Sequence, residues 1–207
     1  MKWLQIPLGP MQTNCYLLFN SKKECIVFDP GEQGQELNTY LKKEGYQPLA
    51  ILLTHAHFDH IGAIDVVREQ WNIPVYVHEM EAEWLTNPLL NGSKRFGTEI
   101  TIKPADQLIH EEGELKIGNF SFELFHTPGH SPGSISYYVK ESAIVFAGDT
   151  LFASSIGRTD LTGGSYSELM ESIHTKLLVL PDHTHVLSGH GPMTTVIKEK
   201  NENPFLK

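Results

Sequence analysis

The segment Leu53-Thr54-His55-Ala56-His57-Phe58-Asp59-His60 puts four metal-competent side chains into one short stretch, directly after an apolar run and before a helical pattern. Histidines gathered at a strand end are what imidazole-binding metals such as zinc require. With 11 His in 207 residues, a chance H-x-H-x-D-H pattern is roughly a one-in-a-thousand event. In extended chain His55 and His57 leave the same side and can converge on one ion. Asp59 and His60, in the turn into the helix, can serve a neighbouring ion. A fold for this chain must therefore bring further ligands to that strand end.

Three candidates lie in polar, Gly-rich turns after apolar runs: His130 in Thr127-Pro128-Gly129-His130, Asp149 in Gly148-Asp149-Thr150, and His190 in Gly189-His190-Gly191-Pro192. Flanking glycines permit close backbone approach to an ion or a substrate. The other histidines have ordinary readings: His126 closes a strand, and His78, His110, His174, His183 and His185 lack such surroundings. Asp29, in Asp29-Pro30-Gly31, suits either a turn or a carboxylate that orients a ligand histidine.

Around these turns the elements alternate. Strands are expected at 3–6, 15–19, 25–28, 50–53 and 75–78, with helices at 33–44 and 61–71. Residues 79–98 read as a short helix and an irregular loop carrying Lys94 and Arg95. Hairpins follow at 114–117 with 119–126 and at 134–139 with 143–147, then a helix at 165–178, a strand at 185–188 and a polar tail at 198–207. The pattern predicts a single domain over 1–207 of α/β (α+β) class, with two mixed β-sheets packed face to face and helices outside.

With 16 Lys+Arg against 25 Asp+Glu, the net charge of -9 argues against nucleic acid or an anionic membrane as partner. Cys15 and Cys25 form no zinc-ribbon or disulfide framework and read as buried thiols in a reducing compartment, which makes a cytoplasmic location the expectation. No apolar run reaches the length of a signal peptide or a membrane span.

Taken in order, H-x-H-x-D-H, Thr127-Pro128-Gly129-His130, Gly148-Asp149-Thr150 and Gly189-His190-Gly191 resemble the metallo-β-lactamase superfamily, over residues 14–192. Within it the chain is similar to the glyoxalase II branch, the hydroxyacylglutathione hydrolases, and through Gly157-Arg158-Thr159-Asp160 to its short bacterial subgroup. The resemblance implies a four-layer αβ/βα sandwich and two Zn2+ per chain, with Fe or Mn as alternatives. It further implies that His55, His57 and His130 hold metal one, that Asp59, His60 and His190 hold metal two, and that Asp149 bridges them. The longer glyoxalases continue into a C-terminal helical domain that contacts glutathione, and this chain is expected to lack it.

The activity so implied is hydrolysis of a small-molecule S-acyl thioester such as an S-lactoyl thiol. Two ions about 3.5–4 Å apart would share a water and lower its pKa from about 15.7 toward ~7. Asp59 would orient that hydroxide or take up its proton. Arg158 is a candidate for a substrate carboxylate, against the reading that it pairs with Asp160 to order its loop. The lactamases themselves lack an aspartate at the place of Asp149, which counts against antibiotic hydrolysis. Persulfide dioxygenases resemble the chain too, binding one iron through the positions of His55, His130 and Asp149. A metal-binding protein without catalysis is the third alternative.

Overall fold

The runs Cys25-Ile26-Val27-Phe28 and Ala50-Ile51-Leu52 have no polar face, as suits strands covered on both sides, and all seven side chains are buried. They lie at the middle of a six-stranded sheet. The structure, a computed structural model, describes residues 1–207, which divide into two units, Met1–His110 and Glu111–Lys207.

In the first unit the strands are β1 (Lys2–Leu8), β2 (Thr13–Phe19), β3 (Glu24–Phe28), β4 (Gln47–Leu52), β5 (Val75–His78) and β6 (Gln107–Ile109), ordered as numbered. Pairing is antiparallel from β1 to β3 and parallel from β3 to β6. Helix α1 (Gly34–Glu44) crosses between β3 and β4 and buries Leu37 and Leu41. It stops where expected, at Gly45 with φ 73, a conformation that glycine adopts without a Cβ penalty. Each fully buried Leu, Ile or Val contributes about 1.5–3 kcal/mol.

The helix expected at 61–71 is two helices, α2 (Phe58–Ile61) and α3 (Ile64–Trp71). The reason is a backbone contact: a methyl group on Gly62 would lie 2.4 Å from the Gly31 carbonyl oxygen. Ala63 N donates to Pro30 O at 3.0 Å. Residues 79–86 and 93–96 wind into short 3-10 turns.

In the second unit a six-stranded sheet runs in the order β14-β13-β10-β9-β8-β7. Its strands are β7 (Gly113–Ile117), β8 (Phe120–His126), β9 (Ile135–Val139), β10 (Ile144–Gly148), β13 (His185–Ser188) and β14 (Thr194–Thr195), and a small hairpin is made by β11 (Leu151–Phe152) and β12 (Ser155–Ile156). Only β10 and β13 pair in parallel, joined through α4 (Tyr166–Ser172), which passes at Ile173–Leu177 into a wider π turn. Leu169, Ile173 and Leu177 pack with Val145 and Val186 in the core of this unit.

The expected polar tail is instead partly helical: α5 (Val196–Glu202) is capped by the Thr195 side chain and buries Val196 and Glu199. The Glu199 carboxylate accepts from Ser154 N, Thr194 Oγ1 and Asn203 Nδ2. A charge buried in this way satisfies its lone pairs within the fold, which a count of polar residues does not reveal. No helix is long and apolar enough to cross a membrane.

Candidate metal centre

In the first unit the candidate ligands follow the carboxyl end of β4, where open sheets with parallel strands present their sites. His55, His57, Asp59 and His60 are all buried. The rings of His55 and His57 are 4.8 Å apart between centroids, and those of His55 and His60 4.1 Å.

One carboxylate organises two of these positions, His55 and His60, and the threonine between them and β4. Asp29 follows β3 in a left-handed conformation, φ 46. Its Oδ1 accepts from Thr54 N at 2.8 Å, and its Oδ2 from Thr54 Oγ1 at 2.6 Å and from His60 Nδ1 at 3.1 Å. With the Thr54 proton given to Asp29, the Thr54 oxygen accepts from His55 Nδ1 at 3.1 Å. Both rings thus carry their proton on Nδ1 and present Nε2 as the metal-binding nitrogen. The sequence left Asp29 between turn and orienting carboxylate, and it serves as both.

Asp59 is fixed from another strand, since Thr13 Oγ1 at the start of β2 donates to its Oδ2 at 2.8 Å. That same oxygen lies 3.6 Å from His60 Nε2. A methyl on Gly31 would fall 1.8 Å from the Asp59 carbonyl oxygen. The Asp29-Pro30-Gly31 turn therefore sets both the position of α2 and the rotamer of His60.

In the second unit the candidates are His130, Asp149 and His190. Asp149 Oδ2 lies 3.6 Å from His130 Nε2 and 3.6 Å from His190 Nε2. Asp149 follows the carboxyl end of β10 and His190 that of β13, the two parallel neighbours. The turn before His130 is pressed flat against α4: a methyl on Gly129, φ 127, would lie 2.2 Å from Leu169 N. Ser165 N donates to Gly129 O, and Ser172 Oγ to Pro128 O.

His130 Nδ1 donates to the Arg158 carbonyl at 2.9 Å, the same device that orients His55 and His60. A methyl on Gly157 would be 1.9 Å from the Asp149 carbonyl oxygen and 3.2 Å from His130 Cβ. The Arg158 side chain forms a two-pronged pair with Asp160 at 2.7 Å and 2.7 Å, both groups being more than half exposed. The Arg158 side chain thus pairs with Asp160, as the loop-ordering reading expects, while the backbone of the same segment accepts from the candidate ligand His130.

The donor set suits divalent metals: His55, His60 and His130 are buried imidazoles with Nδ1 anchored, and carboxylates lie beside them. The sequence profile of the metallo-beta-lactamase superfamily matches residues 8–190. The chain belongs to that superfamily. It is 58% identical over 207 residues to the "Probable metallo-hydrolase YqgX" of Bacillus subtilis, spanning all of this chain and 98% of the relative. To the "Hydroxyacylglutathione hydrolase GloC" of Haemophilus influenzae it is 37% identical, over 97% of this chain and 96% of that one. Among solved structures, BLEG-1 B3 metallo-beta-lactamase superposes with a TM-score of 0.99 at 58% identity over the whole of both chains. TTHA1623, in a di-iron-bound form, does so with a TM-score of 0.88 at 40% identity, over 98% of this chain and all of that one. The chain thus has the metallo-β-lactamase fold, with mixed sheets and helices as expected, and is a metal-dependent hydrolase of the superfamily with a histidine and aspartate metal site.

Several supporting residues of this superfamily member escaped sequence reading. Thr13, Thr54 and Glu81 are buried polar groups that hold candidate ligands or their loop, and nothing in their own neighbourhoods marks them. Three of the remaining histidines make structural contacts: His126 Nε2 donates to Pro132 O, His78 Nδ1 caps Met80 N, and His110 pairs with Glu79. Lys94 pairs with Glu99, both exposed.

Proposed function

We propose that the chain is a dinuclear metal-dependent thioesterase of glyoxalase II type, with His55, His57 and His130 at one ion, Asp59, His60 and His190 at the other, and Asp149 at both. The observation that carries this reading is the position of Asp149. One of its oxygens is equally distant from His130 and His190, one histidine from each proposed trio, as a bridging carboxylate requires. An enzyme of one iron has no use for that second approach. The name of the Haemophilus relative supports the thioester class.

When bound, two divalent ions supply a water of lowered pKa and a Lewis-acidic contact for the carbonyl oxygen. The chain's own groups do the rest. Asp59, held at Oδ2 by Thr13, orients the attacking water and takes up its proton. A thiolate whose parent thiol has a pKa of about 8.5 departs without an acid from the protein. Zinc and iron both fit the nitrogen and oxygen donors, and iron has a precedent in TTHA1623.

The 58% identity to a protein named as a B3 metallo-β-lactamase supports β-lactam hydrolysis as a second reading. The purified protein separates the two. Elemental analysis should return two metals per chain, and hydrolysis of S-lactoyl and simple acyl thioesters should exceed that of nitrocefin and a carbapenem. One iron per chain with oxygen uptake on glutathione persulfide would replace both readings by a dioxygenase.

A further inference from the structure

Glu81 lies in the 3-10 turn that follows β5, and its exposure is 0%. Its Oε2 accepts from Ala56 N at 2.5 Å, across 25 residues of sequence. Ala56 is the residue between His55 and His57, so this bond fixes the backbone from which both imidazoles project. Residues three apart eclipse one another in a 3-10 turn. Trp84 therefore shares the Glu81 face, and its ring lies 5.5 Å from that of His57. The turn is itself tied down: Asn91 Nδ2 donates to Trp84 O, and Ile102 N to Leu85 O. A glutamine would also offer an oxygen to the Ala56 amide, though without the strength of a charged acceptor. What the carboxylate adds is charge, and in a buried setting an anion favours the cation-loaded form over the empty one.

We infer that Glu81 is a positioning residue for the His55 and His57 pair, holding the loop between them through the Ala56 amide and lending a buried negative charge to the cation site. The inference rests on the metal assignment proposed above and adds to it a residue outside the ligand set. Changes at carboxylates that support metal ligands typically weaken metal binding by about 10–100-fold.

The test is cobalt(II) binding to the full chain, followed by its visible spectrum and by competition with a chelator, for wild type, His55→Ala, Glu81→Ala and Glu81→Gln. Melting is recorded with and without metal. His55→Ala should lose tight binding of one ion. Glu81→Ala should bind about 10–100-fold more weakly. Glu81→Gln, which keeps an acceptor for Ala56, should fall between Glu81→Ala and wild type and should melt closer to wild type without metal than with it. Wild-type affinity in Glu81→Gln overturns the inference even where Glu81→Ala does not fold. So does a Glu81→Gln protein that fails to fold, or that melts lower by the same amount with and without metal, since the charge then serves the fold alone. If His55→Ala binds cobalt as wild type does, the metal assignment has failed and the inference falls with it. If His55→Ala weakens and the Glu81 variants do not, only the inference fails.

Discussion

The carboxylate of Asp29 meets the Nδ1 of His60 at 3.1 Å across 31 residues of chain. With this bond the end of β3 dictates which nitrogen of a helix-borne imidazole is left for a metal. The same carboxylate holds Thr54, and through it His55, so a single side chain governs the orientation of ligands assigned to different ions.

Asp29→Ala should therefore affect both ions together. It leaves Thr54 N and His60 Nδ1 without their acceptor, at about 1–3 kcal/mol in stability, and it should weaken metal binding by roughly 10–100-fold. Urea unfolding of metal-free protein and chelator competition on the loaded protein measure the two effects. Unchanged affinity would refute the orienting role.

Asp149→Ala should lower the metal content from two ions to at most one and abolish hydrolysis, because its Oδ2 lies 3.6 Å from both His130 Nε2 and His190 Nε2. His183→Ala, at an exposed histidine, is the control and should leave both unchanged. Elemental analysis alongside a thioester assay reads the outcome, and full activity in Asp149→Ala would sink the assignment.

At Gly157 a single added methyl should be damaging. It would meet the Asp149 carbonyl at 1.9 Å, and a backbone oxygen has little room to yield. Overpacking of this kind destabilises by about 1–3 kcal/mol or more. The displaced segment carries the Arg158 carbonyl that orients His130, so Gly157→Ala should also lose metal. Asp160→Ala, which removes the exposed partner of the Arg158 side chain, should change stability by about 0–1 kcal/mol. Thermal melts of the two variants with and without added zinc test the contrast.

Burial also predicts an alkaline limit. The Cys25 thiol is pushed from 9.0 up to about 12, and burial raises Cys15 as well, with Asp29 adding to the effect. Both groups are held neutral in the fold. Their contribution is fully present below the unfolded value of about 9 and is lost as pH rises from there toward 12. The urea midpoint should fall over that window, less steeply in Cys25→Ala. Below pH 9 neither thiol should react with a disulfide reagent until the protein is unfolded.

The seven proposed ligands stand out in the sequence because metal chemistry restricts residue type, and glycines beside His130, Asp149 and His190 restrict backbone. The strands were legible where they were apolar throughout, as with Cys25 to Phe28. The parts not legible depend on partners distant in sequence. Thr13 matters through an aspartate 46 residues away, and Glu81 through an amide in another loop. The single helix expected at 61–71 fails because Gly62 must touch Gly31, a contact that periodicity within one segment does not report. The Val196–Glu202 helix was missed because its buried face includes a glutamate, which an apolar pattern does not count.

That last helix has a practical consequence. Glu199 accepts from Ser154 N, and Asn203 donates to Ser155 O at 3.0 Å, so the chain's final turns hold the β11–β12 hairpin, whose Phe152 ring lies 6.4 Å from that of His190. A purification handle fused after Lys207 would pull on these anchors, whereas one placed before Met1 would extend from an exposed residue. Preparations of this protein for metal and activity measurements should carry their affinity tag at the amino terminus.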